Sequence, residues 1–170
     1  TSAALAQQIV ASTTTTTIAS ATNPAPYRAP VVLTITVEST TGVPAGSVSV
    51  TDATFGAPVG SCTLAAFGQS SAARCTVSVS DLTVATHSLV ATFAGTTQYA
   101  SSVSAALEQS VVAAETTTTL TTSANPVTDG DPLTLTATVR SAHATPAGTI
   151  SFSVLGVPLA TCALEAVDAT

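Results

Sequence analysis

The chain of 170 residues contains no lysine, tryptophan or methionine, and only 7% of its residues are charged. Its cations are the three arginines Arg28, Arg74 and Arg140. The lack of lysine excludes Schiff-base chemistry, the P-loop grip on phosphate and lysine–asparagine isopeptide crosslinks. A net charge of -6 would repel polyanions, because neither phosphate neutralisation nor counterion release is available. We therefore expect no nucleic-acid partner.

Long apolar runs are also missing. No run approaches the roughly 18 to 20 residues of a membrane helix, and the N-terminus has no signal-peptide pattern. We expect no membrane insertion in this segment, and the absence of an initiator methionine suggests a mature protein or a fragment. With 45% hydrophobic residues the chain still has enough apolar side chain for a core.

The chain repeats itself at an offset of 102 residues. The matching segments are 2–5 and 104–107, 13–17 and 116–119, 23–24 and 125–126, and 44–46 and 146–148. The offset later falls to 100, because Cys62 matches Cys162 and two residues are lost from a loop. The period predicts a last strand of a preceding unit at 1–11, a complete unit at 12–113 and the truncated first part of another at 114–170.

Within a unit, apolar residues alternate with threonine and serine. The alternation predicts many short strands, each with a core face and a polar face. The expected core positions are Val31, Leu33, Ile35 and Val37; Val48 and Val50; Cys75, Val77 and Val79; Leu89, Ala91 and Phe93; and Val103, Ala105 and Leu107. Further strands at 13–20 and 58–65 give about seven per unit, which is typical of an all-β, two-sheet Greek-key sandwich.

Four segments carry a family resemblance. The chain from Thr13 through Asn23-Pro24, the strand at 31–37, the turn and strand at 44–50 and the stretch from His87 to Tyr99 resemble bacterial Ig-like repeat domains. The resemblance implies an Ig-like β-sandwich in tandem in a large secreted or surface protein, where such domains act as spacers, stalks and adhesive modules. Cysteines are a departure from the commonest pattern of that family.

Cys62 and Cys75 lie symmetrically about residues 68–69, a Gly-X pair of the kind that forms a two-residue hairpin turn. Counting outward places Leu64 opposite Ala73, and Cys62 opposite Cys75 as a non-hydrogen-bonded pair within disulfide reach. The alternative is two free buried cysteines that pack as small hydrophobes. A disulfide would indicate an oxidising compartment, and therefore a secreted or cell-surface protein.

Cys162 makes the cysteine count odd. Because it aligns with Cys62, its partner is expected beyond the end of the chain, at about position 175. A zinc site is not expected, since no histidine or second cysteine pair has ligand spacing.

The chain offers few residues for catalysis. Its two histidines, His87 and His143, occur in no catalytic motif, so we expect ordinary exposed or half-buried histidines, no enzyme and no cofactor. Asp129 and Asp131 flank a glycine and are weak candidates for a metal site. A simple turn before a strand explains them equally, because the first copy has no acids there.

The threonine runs suggest O-linked sugars or a flat hydroxyl array. Exposed strands are often threonine-rich in any case, and the alternating threonine face covers one strand per copy.

The junction at 109–115 has no glycine, proline or polar spacer, which predicts directly joined units and a stiff or semi-stiff rod.

These features predict a structural protein, a tandem Ig-like segment of an extracellular stalk or surface filament. Its expected partners are neighbouring copies or repeats, joined head-to-tail, with strand complementation as a further mode of contact. The alternatives are an adhesin or ligand-binding module, although few aromatics argue against sugar binding, and an accessory domain of a secreted enzyme.

Overall fold

The structure, a computed structural model, describes residues 5–68 and 71–164, and it contains no helix within them. Part of the predicted turn at 68–69 therefore lies outside the described residues. The chain divides into two compact units, Thr1–Val112 and Ala113–Thr170. The first unit contains β1 (Thr14–Ser20), β2 (Ala25–Pro26), β3 (Val31–Ser39), β4 (Ser47–Asp52), β5 (Ala57–Thr63), β6 (Ala65–Ala66), β7 (Ala72–Val79), β8 (Thr86–Phe93), β9 (Ser102–Val103) and β10 (Leu107–Val112). The second contains β11 (Thr117–Thr122), β12 (Leu135–Arg140), β13 (Thr149–Val154) and β14 (Val157–Ala163).

The strands of the first unit form two sheets. One has the order β1-β3-β7-β6, and the other has the order β2-β10-β8-β4-β5, with β9 paired to β8. The pairs are antiparallel except β2 with β10, which run parallel. The chain changes sheets between β1 and β2, where the Asn23-Pro24 peptide bond is cis. This arrangement confirms the predicted all-β, Ig-like Greek-key sandwich.

One apolar core lies between the two sheets. Strand β3 shows its origin, because alternate residues face inward while Val32 and Glu38 remain exposed. The expected core positions of β3, β4, β7 and β8 are buried, apart from Cys75, which is partly buried. The buried set includes Val31, Leu33, Ile35, Val37, Val48, Val50, Val77, Val79, Leu89, Ala91 and Phe93.

The expected last strand at 103–107 is wrong, although Leu107 packs against the core as expected. Val103 is 60% exposed, and β9 ends there. At the buried Ser104 the hydroxyl oxygen accepts the backbone N–H of Ala91, so a side chain takes over part of the pairing. The long last strand is β10, whose inward side includes the fully buried Gln109. The polar Gln109 at a core position interrupts the apolar alternation from which strands are predicted.

Cys62 and Cys75 form a disulfide with their Cα atoms 5.8 Å apart, but the predicted hairpin around it is wrong. Cys62 lies on β5, and the chain then crosses to the other sheet at the buried Leu64. In the hairpin that follows, Ala66 lies opposite Ala73, whereas the sequence predicts Leu64 at that position. The register thus differs by two residues. The disulfide therefore joins the two sheets across one edge of the sandwich.

The second unit repeats the pairings of the leading strands of the first. The equivalent pairs are Thr17 with Thr36 and Thr119 with Thr138, and Val48 with Cys62 and Ile150 with Cys162. One connection differs. Residues 53–56 join β4 to β5, whereas the residues between β13 and β14 are only Leu155 and Gly156, both at positive φ. This shortened turn accounts for the fall in sequence offset.

Residues 5–11 form no strand in the structure. Their large apolar side chains are exposed, with Leu5 at 89% and Ile9 at 91%. Their role as the last strand of a preceding unit stays a prediction.

Candidate functional site

The chain enters and leaves the first unit at opposite ends. Strand β2 continues the direction of β1 and runs parallel to β10, so the start of β1 and the end of β10 lie at different ends of the sandwich. At the first end, the Ser12 N–H donates to the Gln98 carbonyl and the Ser12 carbonyl accepts from Ala100, both at 2.8 Å. At the other end, the Val112 carbonyl accepts the N–H of Tyr27 at 2.8 Å. Both chain ends are hydrogen-bonded to the body of the unit.

The Asn23 side chain holds the last strand. Its amide nitrogen donates to the Glu108 carbonyl at 2.6 Å, and its amide oxygen accepts the N–H of Ser110 at 3.0 Å. A single side chain thus pairs with β10 in the manner of a neighbouring strand. In the first unit, the asparagine of the repeated Asn-Pro pair therefore anchors β10.

A buried ion pair lies at the end of the unit where the chain leaves. Asp52 ends β4 and His87 lies near the start of β8, and the two side chains meet with Nδ1 of His87 2.6 Å from Oδ2 of Asp52. Nε2 of His87 lies 2.8 Å from the Thr83 carbonyl oxygen. His87 is 2% exposed, so the expectation of an exposed or half-buried histidine is wrong.

The surroundings of His87 set its protonation. Burial lowers the pKa of His87, but the hydrogen bonds with the Thr83 carbonyl and the Asp52 carboxylate, together with the charge of Asp52, outweigh it and raise the pKa above 6.5. Both ring nitrogens face oxygen atoms, so neither is free to accept a proton from a substrate. This pair lacks the arrangement that general-base catalysis requires.

The hydroxyl face of the first unit is wider than the sequence indicated. Outward-facing hydroxyls cover three adjacent strands, β1, β3 and β7, rather than one. They belong to Thr15, Thr17, Thr34, Thr36, Thr76 and Ser78. Arg74 interrupts the array, because its Nε donates to Thr36 at 3.0 Å and its guanidinium lies 3.6 Å from the ring centre of Phe67.

The remaining candidate residues of the sequence belong to the second unit. Asp129 and Asp131 occupy an exposed turn of the second unit, and the described residues contain no group of three or more potential metal ligands. The metal site there stays a prediction. Cys162 is free and exposed, and its partner beyond position 170 also stays a prediction. His143 is exposed in a loop.

The geometry matches a known family. The family model for the bacterial Ig-like domain (group 3) matches residues 15–112, which span all the strands of the first sandwich except the first residue of β1. The chain belongs to the bacterial Ig-like domain (group 3) family. No curated protein and no solved structure matches the chain.

A bacterial Ig-like domain is a surface or structural module, and members of the family are typically non-catalytic. The family and the disulfide both indicate an extracellular location. Among the described residues, no helix has the length and apolar character needed to cross a bilayer.

Sequence reasoning missed the ion pair of this Ig-like domain and the side-chain pairing of Asn23. A faint signal existed for the ion pair. Asp52 stands at an inward position of β4, where its counterpart in the second copy is Val154. An acid at a core position requires a buried partner, and His87 is the histidine of the same unit.

Proposed function

We propose that this chain is a segment of an extracellular stalk or surface filament built from Ig-like units joined head to tail. The observation that carries the proposal is the placement of the two chain ends on opposite ends of the first unit. A domain with this arrangement extends a rod when its neighbours follow in the same chain, whereas adjacent ends would fold successive domains back on one another.

The short connection supports the same proposal. Val112 is hydrogen-bonded to Tyr27 at the end of the first unit. Ser12, which is hydrogen-bonded at the start of that unit, corresponds to Ala114 in the sequence repeat. Only Ala113 stands between the two positions. A connection of this length leaves few rotatable bonds, so we expect a stiff joint.

The covalent and chemical character of the unit suits such a role. The disulfide ties together the two sheets at one edge, and a chain without lysine offers no cleavage site to proteases that require it. The exposed strand faces are rich in threonine and serine, which provide solubility with little charge.

Antibodies raised against the folded first unit test the location and size of the native protein. On intact cells of the source organism we expect them to bind without permeabilisation. In a non-reducing gel they are expected to detect a species several times larger than 16.6 kDa. Binding only after permeabilisation, or a native species of 16.6 kDa, would contradict the proposal.

A further inference from the structure

The buried pair of Asp52 and His87 requires a proton on both ring nitrogens. A carbonyl oxygen accepts hydrogen bonds and cannot donate them, so Nε2 carries a proton toward Thr83. Nδ1 faces a carboxylate oxygen at 2.6 Å, which also requires a donor. The geometry therefore fits an imidazolium ring. A neutral ring carries a single N–H and could donate to Asp52 or to Thr83, but not to both.

The same pair fastens the loop at residues 53–56. The other carboxylate oxygen of Asp52 accepts the N–H of Thr54 at 3.0 Å. The Thr54 hydroxyl accepts the N–H of Ser88 at 2.9 Å, and the ring of Phe55 lies 5.2 Å from the ring of His87. The loop thus depends on Asp52 for a hydrogen bond and on the His87 ring for its packing surface.

A second loop, residues 80–85, is tied to the same ring. Thr83 accepts from His87, and the Ala85 carbonyl accepts the N–H of Val111 next to the end of β10. One proton is therefore linked to two loops at the end where the chain leaves the unit.

Among the described residues, the charged side chain in contact with His87 is Asp52. Strand β10 places the neutral Gln109 opposite His87, and the loop at 53–56 contributes Phe55. Asp81 of the second loop is exposed.

The second unit lacks the acid of this pair. There Val154 replaces Asp52, and a two-residue turn replaces the loop at 53–56. The acid and the longer loop occur together in the first unit and are absent together from the second, so the hairpin of β13 and β14 forms without them.

We propose that Asp52 and His87 form a proton-operated latch that closes residues 53–56 and 80–85 over the end of the first unit. With the imidazolium in place both loops are held. When His87 loses a proton, the remaining one stays on Nδ1 beside the charged Asp52 carboxylate, so Nε2 presents a lone pair to the buried Thr83 carbonyl and residues 80–85 open.

The direction of the pH dependence follows from the raised pKa of His87. The histidine is charged in the folded unit at pH values where a free histidine has begun to lose its proton. The stabilisation by the charged ring is complete below pH 6.5, the ordinary pKa of histidine, and is lost as the pH rises through the higher folded value. The latch is thus closed below pH 6.5 and opens as the pH rises through the higher folded pKa of His87.

Nuclear magnetic resonance on the whole chain tests this latch. The His87 ring titration is followed from about pH 6 to about pH 9 together with the hydrogen-exchange protection of the Val111 amide, which is bonded to the Ala85 carbonyl of the second loop. We expect protection of this amide to fall at least about tenfold, with a midpoint equal to the pKa of His87. The Leu64 amide, bonded to Gly46 at the opposite end, is expected to keep its protection.

The variant Asp52→Asn separates a latch from a merely structural contact. It keeps an oxygen that accepts from Thr54 and turns its amide NH₂ group toward Nδ1, where a neutral ring accepts and keeps its Nε2 proton on Thr83. Protection of the Val111 amide is therefore expected no longer to fall as the pH rises. Asp81→Asn, which removes an exposed charge from the neighbouring loop, is the matched control and should leave the midpoint in place. If the Asp52 variant does not fold, the titration of the unsubstituted chain decides alone. Protection that does not change with the titration of His87, or a midpoint at or below 6.5 for His87, would overturn the proposal.

Discussion

Arg28 holds a backbone conformation that favours glycine. Its φ is 67°, in the left-handed region, and the equivalent residue of the second unit is Gly130 with a φ of 89°. The guanidinium of Arg28 lies 5.3 Å from the ring centre of Tyr27, an exposed contact that offsets part of the backbone cost. The two copies thus form the same turn with different residues.

Arg28→Gly is expected to raise the free energy of unfolding of the first unit by about 0.5 to 1 kcal/mol. The reason is that relief of left-handed strain outweighs the lost stacking and the greater freedom of glycine in the unfolded chain. Arg28→Ala keeps the strain and loses the stacking, so it should give no gain. Urea denaturation measures both, and equal destabilisation by the two variants would show that no strain is stored at this turn.

At the scale of the strand, the disulfide connects β5 to β7 across the edge of the sandwich. Reduction, or the pair of changes Cys62→Ala and Cys75→Ala, is expected to lower the free energy of unfolding by about 3 kcal/mol. A closed loop of 13 residues restricts the unfolded chain by about this amount. Denaturation with and without reductant measures the loss, and Cys162→Ala is the control because that cysteine is free. A loss confined to Cys162→Ala would contradict the structure.

Strand β10 is held on one side by a side chain. Asn23→Ala removes the two hydrogen bonds to Glu108 and Ser110, and we expect a loss of about 1 to 2 kcal/mol, with faster amide exchange at Ser110. Asn125→Ala is the matched control, since no described strand of the second unit corresponds to β10. An equal effect of both changes would mean that the Asn-Pro pair stabilises its own turn and not β10.

The alternation of apolar and polar residues was sufficient to place β3, β4, β7 and β8 and their core positions. It failed at β10, because Gln109 and Ser104 face inward as polar residues with backbone partners that only the tertiary structure supplies. The cysteine pair was found for the wrong reason. The spacing of the two cysteines predicts a single hairpin within one sheet. It does not reveal that the chain crosses to the other sheet at Leu64, so that Cys62 and Cys75 lie on different sheets.

The contacts at the end of the first unit are the hardest to predict from the sequence. The residue pattern does not single out His87, because Asp52 lies 35 residues away and only the pairing of β4 with β8 brings the two together. Once β4 and β8 are neighbours, the acid at the end of one and the histidine at the start of the other meet in the core. Contacts of this kind follow from strand order, which periodicity does not determine.

At the scale of the whole molecule, a unit with its chain ends at opposite ends and with short connections is suited to extend a rod rather than to catalyse a reaction. The stalk proposal rests on the Ser12 and Val112 anchors, which leave little slack between consecutive units. A strand of eight or nine residues with its loops adds about 40 Å per unit.

Electron microscopy of the full-length native protein, prepared without reductant, is the most direct test of the stalk. The account predicts thin, unbranched rods with a repeat of about 40 Å and gentle curvature. A Gly-Gly-Ser insertion after Ala113 is the control, and it should introduce sharp bends at one joint without changing the number of units. Compact particles, or chains that bend freely at every joint of the unaltered protein, would contradict the account.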